Sequence, residues 1–543
     1  MIKKQTPEAN NRHLSIANYQ LFHIFAMHKL NTSLWQTKNI NTIVENAAEK
    51  SSGIRYSAPH AARNSTTTAL KIKCTTMNKL KTLISTMAIV ASLAVNAQAV
   101  DAWQALYPQI EQSIRAPELY NKVYDITRYG ASTTADAATN QRAINRAIER
   151  CSKAGGGRVV IPAGTWHTGA LRLQSKVNLV VSEGAHLCFS ADTHLYPLVT
   201  TRWEGLDLIN YSPLIYARQA TDIAITGSGT LDGCASNTAW WPMCGNPRYG
   251  WTPDTPEAQS LGSRNQLLQM SDQQIPIEQR IFGQGKGLRP QMIQCYQCDR
   301  VLIEGVSVLN SPFWSIHPLR SSNITVRGVT IENSGPNGDG CNPESCNGVL
   351  IEACRFNTGD DCIAIKSGRN ADGRRWNEPS QNIIIRNCTM ANGHGGVVIG
   401  SEVSGGARNI FVENCTMDSP NLERVIRLKT NTCRGGVTEN LYVRNITVGQ
   451  CKEAVVKINL VYEPREQSER GHYPIVRNIY IDNITCQRSR YGAYIDALTD
   501  STNVQNINIS NCTWNGITDP QGNRLQGLMR DVRFTNTTLT INP

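Results

Sequence analysis

Along the second half of the chain, apolar and polar residues alternate in short runs that resemble one another. "VLIEGVSV" at 301 is followed by "NITVRGVTI" at 323, "VLIEACRF" at 349, "NIIIRNCTM" at 382, "NIFVENCTM" at 409, "NLYVRNITV" at 440, "NIYIDNITC" at 478 and "NINISNCTW" at 506. Each run has the period of two that a strand with one buried face requires, is rich in β-branched residues, and is bounded by Asn, Gly or Asp. The copies return every 24 to 38 residues or so, which predicts a solenoid in which each coil buries its face only by stacking on the next. The expected fold is all-β, a right-handed parallel β-helix; a β-propeller would have longer and more uniform periods. Asn at the repeated turn positions suits this fold, because Asn tolerates left-handed backbone and its amide can ladder to the next coil.

Two stretches depart from the strand rhythm. In "TNQRAINRAIERCSKAGGGRVVIP" at 139, Ala143, Ile144, Ala147, Ile148 and Cys151 fall at helical spacing before the Gly155 to Gly157 stop and a strand from Val159 to Ile161. This predicts a helix that caps the open end of the first coil. Residues 232 to 290, with "AWWPMCGNPRYGWTP", predict a long loop excursion of the sort that shapes a cleft.

Composition changes the picture chiefly at the N-terminus. The net charge of +11 suggests an anionic partner until it is located: residues 1 to 99 hold 12 Lys and Arg against 3 Asp and Glu, leaving 42 against 40 beyond them. The body is near neutral, so no nucleic-acid partner is expected. From Met77, "MNKLK", the apolar "TLISTMAIVASLAV" and a terminal Ala97-Gln98-Ala99 compose an export signal over 77–99, cleaved after Ala99. The apolar run is too short to span a bilayer, so no stable membrane insertion is expected after cleavage. Residues 1–76 read as an upstream artefact or a disordered extension, 100–123 as a lead-in, and 124–543 as the β-helix domain.

Seventeen Cys in an exported chain suggest disulfides at first. Yet Cys354, Cys388, Cys415 and Cys512 occupy one position of the repeated phrase, which predicts a stacked interior row in which Cys acts as a small hydrophobe. Cys295 and Cys298 form a lone CxxC with no second pair or His nearby, so no metal site is expected.

Against this frame the carboxylates take position. Asp339 in "NGDGCNPES" and Asp360-Asp361 in "GDDCIAIKSGR" fall on neighbouring coils at corresponding strand ends. Both Asp360 and Asp361 can face a ligand only if Gly359 opens a turn or bulge before them. "GHGG" adds His394, "IRLKTN" adds Arg427 and Lys429 on one strand face, and "LVYEP" adds Tyr462 a coil later. Singly, each Asp beside Gly and Asn reads as a turn former, and the two cations as a solvated strand face. Their alignment points to chemistry instead.

These motifs resemble glycoside hydrolase family 28, the polygalacturonases: Asn-x-Asp at 337, Gly-Asp-Asp at 359, Gly-His-Gly at 393 and Arg-x-Lys at 427, in order, with a downstream Tyr at 462. The likeness runs from about Tyr124 to the C-terminus and includes "YDITRYGA" and "GGGRVVIPAGTWHTGAL". It implies hydrolysis of α-1,4-galacturonosyl linkages with inversion, Asp360 acting as the acid while Asp339 and Asp361 hold and deprotonate the water. It also implies that Arg427 and Lys429 bind a uronate carboxylate, that Tyr462 contacts the sugar ring, that Asn337 binds substrate, and that His394 keeps the acid's proton in place or orients a substrate hydroxyl. Gly338 stands where fungal endo-acting members usually have Thr, and "NPESC" and "SGRNADGRR" look more like bacterial, often exo-acting members. A monomer without cofactor, acting on pectic polysaccharide in the periplasm or outside the cell, is the expectation. The alternatives are a rhamnogalacturonan hydrolase of the same family, a calcium-dependent pectate lyase and a non-catalytic glycan-binding β-helix.

Overall fold

A computed structural model describes residues 99–255, 258 and 262–542. The segment 1–76 and all but Ala99 of the expected export signal lie outside the described residues.

Every copy of the repeated phrase is a strand, and consecutive copies pair in parallel without slipping. Val301, Ile324, Val349, Ile383, Ile410, Leu441, Ile479 and Ile507 form one buried row through the stack. The fold is the expected right-handed parallel β-helix. Each coil continues into a short second strand and then a third, and the third strands form a separate face. That face includes Ile293–Tyr296, Ile316–Leu319, Ile363–Ile365, Val397–Ile399, Arg424–Lys429, Ala454–Asn459, Tyr491–Asp496 and Arg524–Gln526. Bridges through Cys341 and Glu344 join its two halves.

The interior is built as the repeats imply. Cys354, Cys388, Cys415 and Cys512 are buried at the position two residues past the in-register row of Glu352, Arg386, Glu413, Arg444, Asp482 and Ser510, a position that Ile446 and Ile484 fill on the coils between. All cysteines of the described residues are free thiols. At the turns, Asn382, Asn409, Asn440, Asn478 and Asn506 have φ between 53° and 58°, and each amide donates to the Asn one coil earlier at 2.8 to 3.2 Å. The helix Ala137–Lys153 starts at Asp136, whose side chain accepts from Thr139 N–H, and buries all five predicted apolar residues against the first coils.

Three elements were not foreseen. Before the helix-capped end, Ala102–Leu106 and Tyr107–Ser113 are helical and cover an outward row of Leu350, Ile384, Phe411, Tyr442 and Tyr480. Those strand positions should face water by alternation, but their apolar side chains are covered by this helical segment. An antiparallel hairpin, Leu198–Trp203 with Leu206–Tyr211, leaves the coil path, and so does a short helix, Asn370–Trp376. Together with the helix Ser263–Asp272, they pack over the third-strand face near its middle.

The row two residues beyond Glu352 and its equivalents is load shared by Cys and Ile alike, so Ile484→Ala should cost about 2–5 kcal/mol of stability. Urea or thermal unfolding of the variant beside the parent reads this directly.

Candidate active site

Asp339, Asp361 and Gly395 share a rung, because Cys341 pairs with Ile363 and Ile363 with Val397. Gly340 N–H donates to Asp361 O at 3.0 Å, so the two carboxylates stand on adjacent coils about 4.8 Å apart. Asp360 occupies the corner just before them. The strand Arg355–Thr358 has ended there, as expected of Gly359, and a Cβ on Gly359 would come within 2.6 Å of Ser334 O. Close packing of the turn, rather than a left-handed backbone, is what requires this glycine.

His394 is held on the next coil by its own flanks. Gly393 has φ of +125°, and a Cβ there would lie 2.3 Å from Asp360 O. With that carbonyl so near, His394 N–H donates to it at 3.1 Å, and the ring Nδ1 meets Asp360 Oδ1 at 2.9 Å. On the strand Arg424–Lys429, Ile426 and Leu428 point into the core while Arg427 and Lys429 point out. Lys429 Nζ donates to Asp361 Oδ2 at 2.7 Å, and Arg427 to Asp361 Oδ1 at a looser 3.4 Å. Arg427 Nε is buried without a hydrogen-bond partner, so this guanidinium has donor capacity to spare. Both cations lie about equally far from the Tyr462 ring, 5.5 and 5.4 Å from its centroid. Asn337 differs from the others: its amide oxygen already accepts from Arg289 at 2.8 Å, which fixes the side chain and leaves its amide donors and one lone pair for a ligand.

Three partners were missed. Asn342 donates to Asp339 Oδ2 at 2.8 Å, Lys366 Nζ lies 3.7 Å from the same oxygen, and Glu402 accepts from Lys366 at 2.8 Å. Lys366 was legible in principle. In "CIAIKS" it has the outward parity, and it falls on the same rung position as Lys429. Glu402 follows the end of its strand, where no periodicity applies.

Electrostatics separate Asp339 from Asp360. Burial, then the nearby Asp360 charge, push Asp339 well above the usual carboxylate range, with Lys366 opposing. For Asp360, burial acts upward, but the hydrogen bond and charge of His394 outweigh it and hold the group low. His394 is raised by that same contact. Burial works against the charges of Lys366 and Lys429, yet Glu402 and Asp339 around the first, and Asp361 beside the second, raise both. The His394–Asp360 contact therefore favours an imidazolium beside a carboxylate, while Asp339 is pushed toward its protonated form.

Residues 281–522 match the model of glycosyl hydrolases family 28. A probable polygalacturonase of Vitis vinifera is 30% identical over 387 residues, which is 69% of this chain and 70% of the relative. The chain belongs to glycosyl hydrolases family 28. It is a glycosidase. The solved exopolygalacturonase of Thermotoga maritima is 38% identical, with a TM-score of 0.73 over 80% of this chain and 96% of that one. An exo-poly-alpha-D-galacturonosidase of Dickeya chrysanthemi is 25% identical over 63% of this chain and 57% of its own length. No group of three or more His, Cys, Asp or Glu among the described residues is arranged to hold a metal ion.

Lys366 lowers the proton affinity of Asp339, so Lys366→Met should raise it further. Where Asp339 sets the acidic limb of the glycosidase activity, that limb should then move to higher pH. A pH profile of kcat/KM on parent and variant checks the sign.

Proposed function

We propose that the chain is a pectin-degrading hydrolase that cleaves α-1,4-galacturonosyl linkages from one end of polygalacturonate. The observation that carries this reading is a groove closed at one end beside the carboxylate cluster. On the third-strand face, exposure is zero at Gln294, His317 and Glu344, because the hairpin lies over them. Thr201 donates to Gln294 at 2.8 Å and Arg202 to Glu344 at 3.0 Å, while Glu344 also meets His317 at 2.9 Å. Beyond the cluster the same two rows emerge: Arg427 and Lys429 are 7% and 6% exposed, and Tyr494, Asp496, Arg524 and Gln526 are open to solvent in part or whole. The hairpin at 198–211 makes these contacts, and the expected excursion over 232–290 backs it through the helix Ser263–Asp272 and through Phe282 and Leu288. A terminal sugar fits the closed end, and the polymer leaves by the open one. The exo-acting relatives support this choice.

In this reading His394 carries the proton of the pair, and Asp360, the most exposed of the three carboxyls, takes it from the imidazolium and passes it to the glycosidic oxygen. Asp361, fixed by Lys429, and Asp339, with its raised proton affinity, orient the water and take its proton on the opposite side of the sugar, giving inversion. A uronate carboxylate takes up the free capacity of Arg427 beside Lys429, and the ring rests against Tyr462. Asn337 contributes through its amide donors. The segment 77–99 would export the chain, placing a monomeric catalytic domain of residues 124–543 in the periplasm or outside the cell, on pectic polysaccharide.

The decisive experiment is a product profile of residues 100–543 on polygalacturonate with a chelator present. Saturated galacturonate monomer should appear from the first time point; mixed oligomers would open the groove at both ends, and an unsaturated, chelator-sensitive product would replace hydrolysis with elimination. Asp360→Asn should lower kcat by about 10²–10⁴ with an unchanged melting profile.

A further inference from the structure

The grouping of two cations around a tyrosine recurs further along the groove. Arg427 is in register with Lys457, Lys457 with Tyr494, and Tyr494 with Arg524, so the four stand in one row across successive coils. Lys457 Nζ lies 2.9 Å from the centroid of the Tyr494 ring and Arg524 Cζ 4.9 Å from it. This repeats the placing of Arg427 and Lys429 about Tyr462, displaced toward the open end.

We propose that Lys457, Tyr494 and Arg524 form a second uronate-binding subsite, which holds the polymer beyond the sugar at Arg427 and Lys429. The assignment rests on the galacturonan reading and says which part of the substrate the open groove recognises. Its first support is continuity: the same outward row that begins over Asp361 runs unbroken to Arg524, and a polymer leaving the closed end crosses it.

The second support is charge. Glu453 lies 3.2 Å from Lys457 and Asp496 3.8 Å, but Glu453 is also engaged by Arg424, which pairs with Glu423 as well. Burial disfavours the Lys457 ammonium by more than these carboxylates restore, so its proton affinity is lowered, opposite to Lys429. An incoming carboxylate supplies the missing compensation. Arg524 adds a fork on the third coil of the row, and the Tyr494 ring, with a cation on each neighbouring coil, positions both and presents its phenol to the groove.

The test compares initial rates on digalacturonate and trigalacturonate. Two sugars fill the closed end and the Arg427–Lys429 position; only the third reaches the new subsite. Parent enzyme should have a higher kcat/KM on the trimer, and Arg524→Gln and Lys457→Gln should each lower the trimer-to-dimer ratio about tenfold, mostly through KM. Arg524 lies on the partly exposed strand Arg524–Gln526, so its variant is expected to fold, and melting curves verify both. A ratio equal to that of the parent in folded variants overturns the subsite while leaving galacturonan hydrolysis intact. Failure of the parent to cleave either oligomer overturns the hydrolysis reading and the subsite with it.

Discussion

In-register stacking of parallel strands is the constraint on which everything else in this molecule depends. Adjacent coils are held at the spacing of a hydrogen-bonded sheet, about 4.8 Å, and a slip of one residue would turn every core side chain outward. Residues some thirty positions apart in sequence thus become neighbours with little freedom. Asp339 and Asp361 face each other because Cys341 must pair with Ile363. Lys429 reaches Asp361 because Leu428 must sit beneath Ile399. The site is a by-product of rows that the core enforces, and so its geometry is as rigid as the core.

That rigidity permits an arrangement that a loop could not hold. Three carboxyls are crowded together with two of them nearly dry, a placement that strongly disfavours their joint ionisation. Cations fixed by the same rungs offset part of this: Lys429 on Asp361, Lys366 near Asp339, and His394 on Asp360. Compensation is unequal, and the inequality separates Asp360 from Asp339 chemically. Asp360 is held low by a half-exposed imidazole that is itself raised, while Asp339, with a longer contact to its cation, is pushed up.

How much of this was legible follows from which residues obey a period. The strands, the Cys row, the Asn ladder and the capping helix were legible because each leaves a regular trace, as Cys354, Cys388, Cys415 and Cys512 do. The carboxylates, His394, Arg427, Lys429 and Tyr462 were legible as short motifs at strand ends, and the structure brings all of them together. Lys366 carried the right parity but no motif. The hairpin at 198–211 has a strand pattern like any other, and nothing local in "LVTTRWEGLDLINY" says that it leaves the coil and folds back over the groove. The outward row of Leu350, Ile384, Phe411, Tyr442 and Tyr480 was likewise visible as apolar residues on the wrong face, yet its covering comes from Trp103 and Tyr107, more than 240 residues earlier than Leu350. The hydrogen bond from Arg289 to the Asn337 amide oxygen joins distant coils, and no spacing rule predicts it.

The division between periodic and aperiodic parts is also a division of labour. Rows of the third-strand face carry the residues proposed for binding and proton transfer, and they continue from coil to coil. Length of groove is set instead by what leaves the coil path. Arg202 ends one row by pairing with both Asp207 and Glu344, its guanidinium wholly buried, and Arg280 locks the hairpin to the helix Asn370–Trp376 through Asp372. Buried pairs of this kind add little net stability, because the desolvation they require is large. What they contribute is position: an uncompensated Glu344 or Asp372 would be costly, so the hairpin is confined to the one placement that satisfies both. A closed end fixed in this way is a steric rule about the substrate, independent of the catalytic carboxylates. The same cluster beneath a shorter hairpin would meet a groove open on both sides, so the choice between trimming a chain end and cutting within it lies in this aperiodic insertion and not in the residues that break the bond.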